Sequence, residues 1–478
     1  MNGTYDVAVI GAGPAGLAAA TQAARYALAT VLVDEHDAGG GAIHRALTAS
    51  PLARPEILGA AYGRGTALVE AFRQSGATHV PGATVWAVAK RVDDTHAIVV
   101  SRDSRHAHDA RVIPARAVII ATGAQERPFP VPGWTLPGVM LAGAGELLLK
   151  TAALVPAGRT VLAGCGPLLW LLAWQYLNAG VKVDALLDTT PRGRLRHALP
   201  HAADFLRSPY FGEGMKLVRE VRRHVRIVEY VTSLAAEGAR ALECVRFAAA
   251  GRAEMLFADL LLLHQGVVPN ASLPVAMGCA QRWNERQACF EPVVDEWGGS
   301  TVPDVFIAGD GAGIAGADAA AARGHLAALA VANALGRIDG KARDLAAEHP
   351  RAALNRACRG RPFLDALHRP ADAFRMPEAN TIVCRCEEVT AQQVIDAVAL
   401  GCTGPNQMKA FLRCGMGPCQ GRWCGLTVTE LIAHAQRRDP AEVGYYRLRF
   451  PIKPIPLSDL ASLAGTPEAE DSVVRLPR

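Results

Sequence analysis

Apolar and polar positions fall into blocks that repeat along the chain. Residues 5–10 (YDVAVI) form an unbroken apolar run with valine and isoleucine, the pattern of a parallel strand buried on both faces. A glycine turn, G-A-G-P-A-G at 11–16, leads into LAAATQAARYA, rich in helix formers. TVLVDEH (30–36) predicts a second strand ending in acids, which completes a βαβ unit. Several β-type runs (ATVWAV, AIVV, AVII) occupy 84–119 and end at ATGAQERPFPVPGW, 121–134. RTVLAGCGPLLWLLAWQYLNAGVKVDALLD (159–188) then repeats strand, turn, helix, strand. Residues 189–255 read as mixed α/β with basic surface helices. DLLLLHQGVVPN (259–270) predicts another buried strand and turn. VPDVFIAGDGAGIAGADAAAARGHLAALAVANAL (302–335) predicts a strand, an acidic glycine turn and a long alanine-rich helix. From about 336 to 376 the chain is polar and Arg-rich, a linker or connecting helix. Cysteines cluster in 377–432, and the tail, 433–478, has five prolines between 451 and 477, as expected of a segment wrapping a surface or a partner.

Length and composition narrow the class. At about 150 residues per domain, 478 residues predict roughly three domains. Half the residues are hydrophobic, which excludes a disordered chain. A net charge of +5 is small for this length, so the basic cluster Arg222, Arg223, His224 and Arg226 reads as a solvated face rather than a nucleic-acid stripe. No secretory signal is visible at the start, which predicts a cytoplasmic protein. The stretch 161–177 is long enough for a thin membrane span, but Gly164, Gly166 and Pro167 break it. It reads as strand, tight turn and buried helix.

The first glycine turn has the chemistry of a dinucleotide site. Gly11 permits the tight turn, Gly13 lets a pyrophosphate approach the backbone, and Gly16 lets the helix pack on the strand. Pro14 and Ala15 open the helix whose N-terminus faces the phosphates. Asp34, with Glu35 beside it, stands where a carboxylate accepts from ribose hydroxyls. The second turn, G-C-G-P-L-L at 164–169, keeps Gly164, Gly166 and Pro167 but has Leu169 in the third glycine's place. Asp188 closes its second strand. A nucleotide that donates no hydride, NAD(H), or an empty scaffold all remain open for this unit.

Six of the 11 cysteines lie within 41 residues: Cys384, Cys386, Cys402, Cys414, Cys419 and Cys424. Without a secretory signal, a metal centre explains them better than disulfides. Cys384 and Cys386 form C-x-C, and Cys419 and Cys424 form C-x4-C, among glycines that let amides point at sulfur. Iron–sulfur clusters take four thiolates. Zinc, which favours C-x2–4-C pairs, is the alternative. Cys414 competes, since Cys414 and Cys419 are also C-x4-C.

ATGA (121–124) and FIAGD (306–310), each ending a strand, resemble, with the first turn, the glutathione-reductase-type two-dinucleotide flavoproteins. That resemblance implies an α/β fold with FAD contacts at Ala121, Thr122, Gly123, Gly309 and Asp310; the competing reading of Asp310 is a helix N-cap. The string C-R-C-E…G-M-G-x-C-Q-G-R-x-C resembles the bacterioferritin-associated-ferredoxin (BFD)-type 2Fe–2S domain, which implies Cys384, Cys386, Cys419 and Cys424 as ligands and leaves out Cys414 and Cys402. With GAQERPFPVPGWTLPGV (123–139), the whole chain resembles the alpha (A) subunits of heteromeric amino-acid dehydrogenases: the opine oxidase, D-hydroxyproline dehydrogenase and hydrogen cyanide synthase families. The resemblance implies an FAD domain at 1–155, an inserted nucleotide domain at 156–255, an FAD-closing part at 256–340, a linker at 341–376, the 2Fe–2S domain at 377–432 and a tail. It further implies Arg45 at the flavin. It implies a beta subunit with its own FAD that oxidises an amine to an imine, FMN at the subunit interface and ATP in the inserted domain of some members, a third small subunit in some, and a peripheral link to the respiratory chain. The chain departs from P-G-G-Q-x-Y-R by reading A-G-G-G-A-I-H-R at 38–45, which changes the expected flavin-edge contacts.

Two electrons enter a flavin and one enters a 2Fe–2S centre, so the pair suits a relay. His44, His264 and His325 are isolated in sequence and read as structural. The expected function is an electron-transfer subunit of a heteromeric dehydrogenase acting on an amino acid or opine-type amine. A self-contained NAD(P)H oxidoreductase and a non-catalytic iron–sulfur module are the alternatives.

Overall fold

The computed structural model describes residues 3–104 and 107–463; the end of the tail, 464–478, lies outside the described residues. Strand β1 (Tyr5–Ile10), helix α1 (Pro14–Arg25) and strand β2 (Thr30–Val33) form the first βαβ unit. β1 is flanked by β2 on one side and by Ala107–Ile120 on the other, both parallel. Thr78–Val80 extends the sheet beyond β2, and Val305–Ile307 joins Ala107–Ile120 in parallel register. The first half of Ala107–Ile120 pairs instead with His96–Ser104 in an antiparallel ribbon that continues to Ala83–Lys90. The helix Ala317–Ala334 lies on α1, so closely that a Cβ at Gly324 would come 2.1 Å from the Ala15 carbonyl oxygen. Small residues are therefore required where these helices meet, and the alanine-rich pattern of 317–334 follows.

A second parallel sheet runs Arg226–Val228, Ala185–Asp188, Thr160–Cys165, Leu260–Gln265, Val139–Leu141. Two of its strands, Leu260–Gln265 and Val139–Leu141, come from outside 156–255, so this layer is assembled from three separated chain segments. An antiparallel meander, Val231–Glu237, Cys244–Ala249 and Arg252–Phe257, covers it. The stretch 161–177 is strand Thr160–Cys165, a turn and helix Pro167–Asn178, as its glycines predicted. No described helix is long and apolar enough to cross a membrane.

Residues 341–376 are mostly helical: Gly340–Cys358 lies against Ala317–Ala334, and Arg361–Leu367 packs on Arg194–Ala198 of the inserted layer. The cysteine domain is a small helical body with a two-strand ribbon, Ile382–Cys384 and Val389–Thr390. Its core reaches past 432, because Tyr446 and Leu448 are buried in it with Cys384, Cys414 and Cys424.

Candidate functional site

The first glycine turn forms as its chemistry requires. Gly11 has φ +105°, and a Cβ there would meet the Ala121 carbonyl oxygen at 2.5 Å. A Cβ at Gly16 would fall 1.7 Å from the Gly11 carbonyl oxygen, so any side chain would push α1 off the strand. No side chain caps α1, which leaves its first amides for a ligand. Asp34 is largely buried. Its Oδ2 accepts the Ala12 amide at 2.5 Å and its Oδ1 accepts the His36 amide at 2.8 Å. Burial raises its pKa, but the His36 and backbone hydrogen bonds outweigh this and hold the carboxyl below its ordinary value. Glu35 pairs instead with Lys453 of the tail.

The two predicted return segments converge here. Ala121 donates its amide to the Ile10 carbonyl, and Thr122 lines the same cleft as Gly11, Asp34 and Glu35. A Cβ at Gly309 would come 2.7 Å from the Ala15 Cβ, which brings the closing strand's end to the start of α1. Asp310 does not cap the long helix directly. Its Oδ1 accepts the Ala315 and Gly316 amides, both at 2.9 Å, and so orders the loop before it. Two polar atoms here are buried without a partner: Thr122 Oγ1 in the cleft lining, and Nε of Arg45, whose charge interacts with Asp34 and Glu35. Buried polar groups are rarely left so. These atoms, the uncapped helix and the tight glycines fit a bound FAD.

At the flavin-edge loop, His44 turns away: its Nδ1 lies 3.0 Å from the Tyr62 carbonyl oxygen, and burial lowers its pKa. The buried ammonium of Lys150 holds this loop, donating to the carbonyls of Ala42 at 3.2 Å and Ile43 at 2.9 Å while pairing with Glu146 at 2.9 Å. Its pairing with Glu146 is a local i,i+4 contact, but no local signal marks the hold on this loop, whose carbonyls are about a hundred residues away.

The second turn is filled by its own chain. A Cβ at Gly164 would lie 1.7 Å from the His264 carbonyl oxygen, and the His264 ring sits against Gly166. His264 Nδ1 is 2.5 Å from Glu126 Oε1, a buried pair separated by 138 residues. Cys165 is fully buried with its sulfur 3.5 Å from the His368 carbonyl oxygen, and burial pushes its thiol up to about 12. Leu169 is buried in the apolar core around Pro167–Asn178. Asp188 bonds the Thr190 amide of its own turn at 2.8 Å, and burial raises its pKa.

In the cysteine domain, the sulfurs of Cys384, Cys414 and Cys424 lie within 4.8 Å of one another, all buried. The Cys414 and Cys424 thiols donate to Cys384 and lower its pKa, while their own are raised. Cys386 and Cys419 form a neighbouring pair. A Cβ at Gly417 would lie 2.2 Å from the Cys386 Cβ, so the loop closes tightly over the first cysteine pair. Four soft sulfurs on glycine-rich loops fit an iron–sulfur cluster. Cys414, which the motif left out, is itself one of the three gathered sulfurs, whereas Cys386 and Cys419 form the pair beside them. Cys402 is buried elsewhere, bonding the Gly404 carbonyl.

The two sites adjoin. Gln125 Nε2 donates to the Arg422 carbonyl oxygen at 2.9 Å, and Trp134 Nε1 donates to the Ile382 carbonyl oxygen at 2.7 Å. The buried ion pair between Arg375 and Glu430 anchors the preceding segment to the domain. Arg422, between Cys419 and Cys424, also lines the dinucleotide cleft.

Comparison with known proteins agrees with this layout. The pyridine nucleotide-disulphide oxidoreductase family matches residues 5–332, and the sarcosine oxidase A3 domain matches 378–465. The opine oxidase A-subunit of Agrobacterium tumefaciens is 46% identical over 471 residues, covering 98% of this chain and 94% of that protein. The chain belongs to the opine oxidase A-subunit family. The HcnB subunit of hydrogen cyanide synthase from Pseudomonas aeruginosa is 31% identical across 95% of this chain and 98% of its own length, so the same layout extends beyond the opine oxidases. L-proline dehydrogenase from P. horikoshii superposes with a TM-score of 0.68 at 18% identity, over 96% of this chain and 79% of that one, which shows a shared fold. The family is one of flavoprotein oxidoreductases.

Proposed function

We propose that this chain is the FAD- and 2Fe–2S-containing electron-transfer subunit of a heteromeric dehydrogenase that oxidises an amino acid or opine-type amine at a partner subunit. The observation that carries the reading is the placement of the Cys419–Cys424 loop against the dinucleotide cleft, through Arg422 and the Gln125 hydrogen bond. FAD would supply two-electron exchange and a 2Fe–2S centre one-electron steps. The first turn, Asp34, Thr122, Arg45 and Asp310 would hold the flavin. Cys384, Cys386, Cys419 and Cys424 would hold the cluster. The amine pocket and its second FAD belong to the beta subunit in this reading, with FMN at the interface of the two.

The inserted unit acts as scaffold. His264 against Gly166, and His368 against Cys165, stand where a second nucleotide's phosphates would approach the turn. This disfavours a self-contained NAD(P)H oxidoreductase, which needs that turn open, and it weighs equally against ATP there. The test is co-expression with the dehydrogenase chain encoded alongside, followed by assay of amine-dependent dye reduction. Activity that requires both chains supports the relay; full activity of the partner alone contradicts it. Rapid bleaching of the isolated chain's flavin by NADH would instead favour the self-contained reading.

A further inference from the structure

The loop C-Q-G-R-W-C carries Cys424 in the buried sulfur group and Cys419 in the pair beside it, while its arginine lines the first cleft. Arg422 lies with Gly11, Asp34, Glu35 and Thr122 around the first cleft. Its Nε donates to the Cys419 carbonyl oxygen at 3.4 Å, a weak bond at the limit of useful length. Its backbone carbonyl is fixed by Gln125. Among the described residues its terminal guanidinium nitrogens have no hydrogen-bond partner and no ion pair. The two carboxylates nearest the cleft are already engaged: Asp34 by the amides of Ala12 and His36, Glu35 by Lys453. Arg422, with no carboxylate partner, therefore borders a cleft that holds Gly11 of the glycine turn and the orphaned Thr122 hydroxyl, next to the uncapped start of α1, a setting that suits an anion.

We propose that Arg422 grips the diphosphate of the dinucleotide in the first cleft, so that the dinucleotide braces the cysteine domain against the flavin domain. The inference rests on the flavin reading above and adds a residue from outside the nucleotide-binding fold to its binding set. The domain that carries the cysteines is then part of the flavin's own site, and loss of the nucleotide loosens the Cys419–Cys424 loop.

The test measures FAD dissociation from the full chain by the fluorescence of released flavin, in wild type, Arg422→Ala, Arg422→Lys and Arg413→Ala. Arg413→Ala removes the same charge from an exposed position in the same domain, where the arginine pairs with Glu387. A charge-assisted bond to phosphate predicts about a 10- to 100-fold weaker FAD affinity for Arg422→Ala, partial recovery with lysine, and no change for Arg413→Ala. The wild-type affinity should fall with added salt more steeply than that of Arg422→Ala. Equal affinity of wild type and Arg422→Ala overturns this proposal and leaves the flavin reading standing. Loss equal in Arg422→Ala and Arg413→Ala also overturns it, since that would be general electrostatics. A wild-type chain with no affinity for FAD overturns both.

Discussion

The side-chain amide of Gln125 donates to the backbone carbonyl of Arg422 at 2.9 Å, across 297 residues of sequence. Gln125 belongs to a short strand just after the A-T-G segment of the flavin domain, and Arg422 to the loop between Cys419 and Cys424. This hydrogen bond, with that of Trp134 to the Ile382 carbonyl, ties the cysteine domain to the dinucleotide-binding fold. Replacing Gln125 with alanine leaves the Arg422 carbonyl to water or unpaired, at a cost of about 1–2 kcal/mol. The expected result is retained FAD with slower flavin-to-cluster electron transfer, followed by stopped-flow absorbance. An unchanged rate would show that the contact sets no separation.

The five gathered cysteines make a discriminating series. Serine at Cys384 or Cys424 should abolish the iron–sulfur absorbance and the iron content. In the proposed ligand set Cys419→Ser should do the same, while Cys414→Ser should retain a cluster with a shifted spectrum, because its sulfur lies within 4.8 Å of those of Cys384 and Cys424. Loss of iron on Cys414→Ser with retention on Cys419→Ser would reverse that assignment.

Gly16→Ala places a methyl 1.7 Å from a backbone carbonyl oxygen, where no flexible side chain can yield. The helix must shift along its length, with a loss of roughly 3 kcal/mol or more and the release of FAD. Purification as a colourless or insoluble protein is the expected outcome. A yellow, stable variant would show that α1 can move without losing the site.

Stability should fall in mild acid. Burial, aided by Arg361 and His264, holds His368 at about 4, and burial with Arg25 nearby does the same for His325. Both folded values lie below the ordinary 6.5, so the unfolded chain takes up protons first. Their contribution is complete above about pH 6.5 and is lost as pH falls toward about 4, about 3 kcal/mol for each at most. Urea unfolding at about pH 7 and about pH 5 should show the drop, and His368→Gln should reduce it. A pH-independent midpoint would contradict the burial of both rings.

Much of this arrangement was legible in the sequence where the chemistry is local. The βαβ unit at 5–33 follows from an apolar run, three glycines and an acid, all within a few turns of chain. The strand, turn and helix of 160–178 follow from Gly164, Gly166 and Pro167. What escaped depends on distant partners. Glu126 and His264 meet only because the Ala124–Glu126 ribbon and the end of Leu260–Gln265, in different sheets and 138 residues apart in sequence, come together. Lys150 is buried because it holds the carbonyls of Ala42 and Ile43. Tyr446 covers Gly415 and Gly421, and Lys453 pairs with Glu35, because the tail folds back over both domains. Cys414 stayed a rival for another reason: spacing alone could not tell it from a ligand, the motif resemblance set it aside, and its sulfur lies with those of Cys384 and Cys424.

The relay itself is tested most directly in the assembled complex. Amine is mixed anaerobically with the enzyme, samples are frozen on the millisecond scale, and the reduced 2Fe–2S signal is followed by electron paramagnetic resonance. The account predicts that this signal rises within one turnover, from a chain holding about two irons per flavin. A cluster that stays oxidised while the partner's flavin is fully reduced would contradict it.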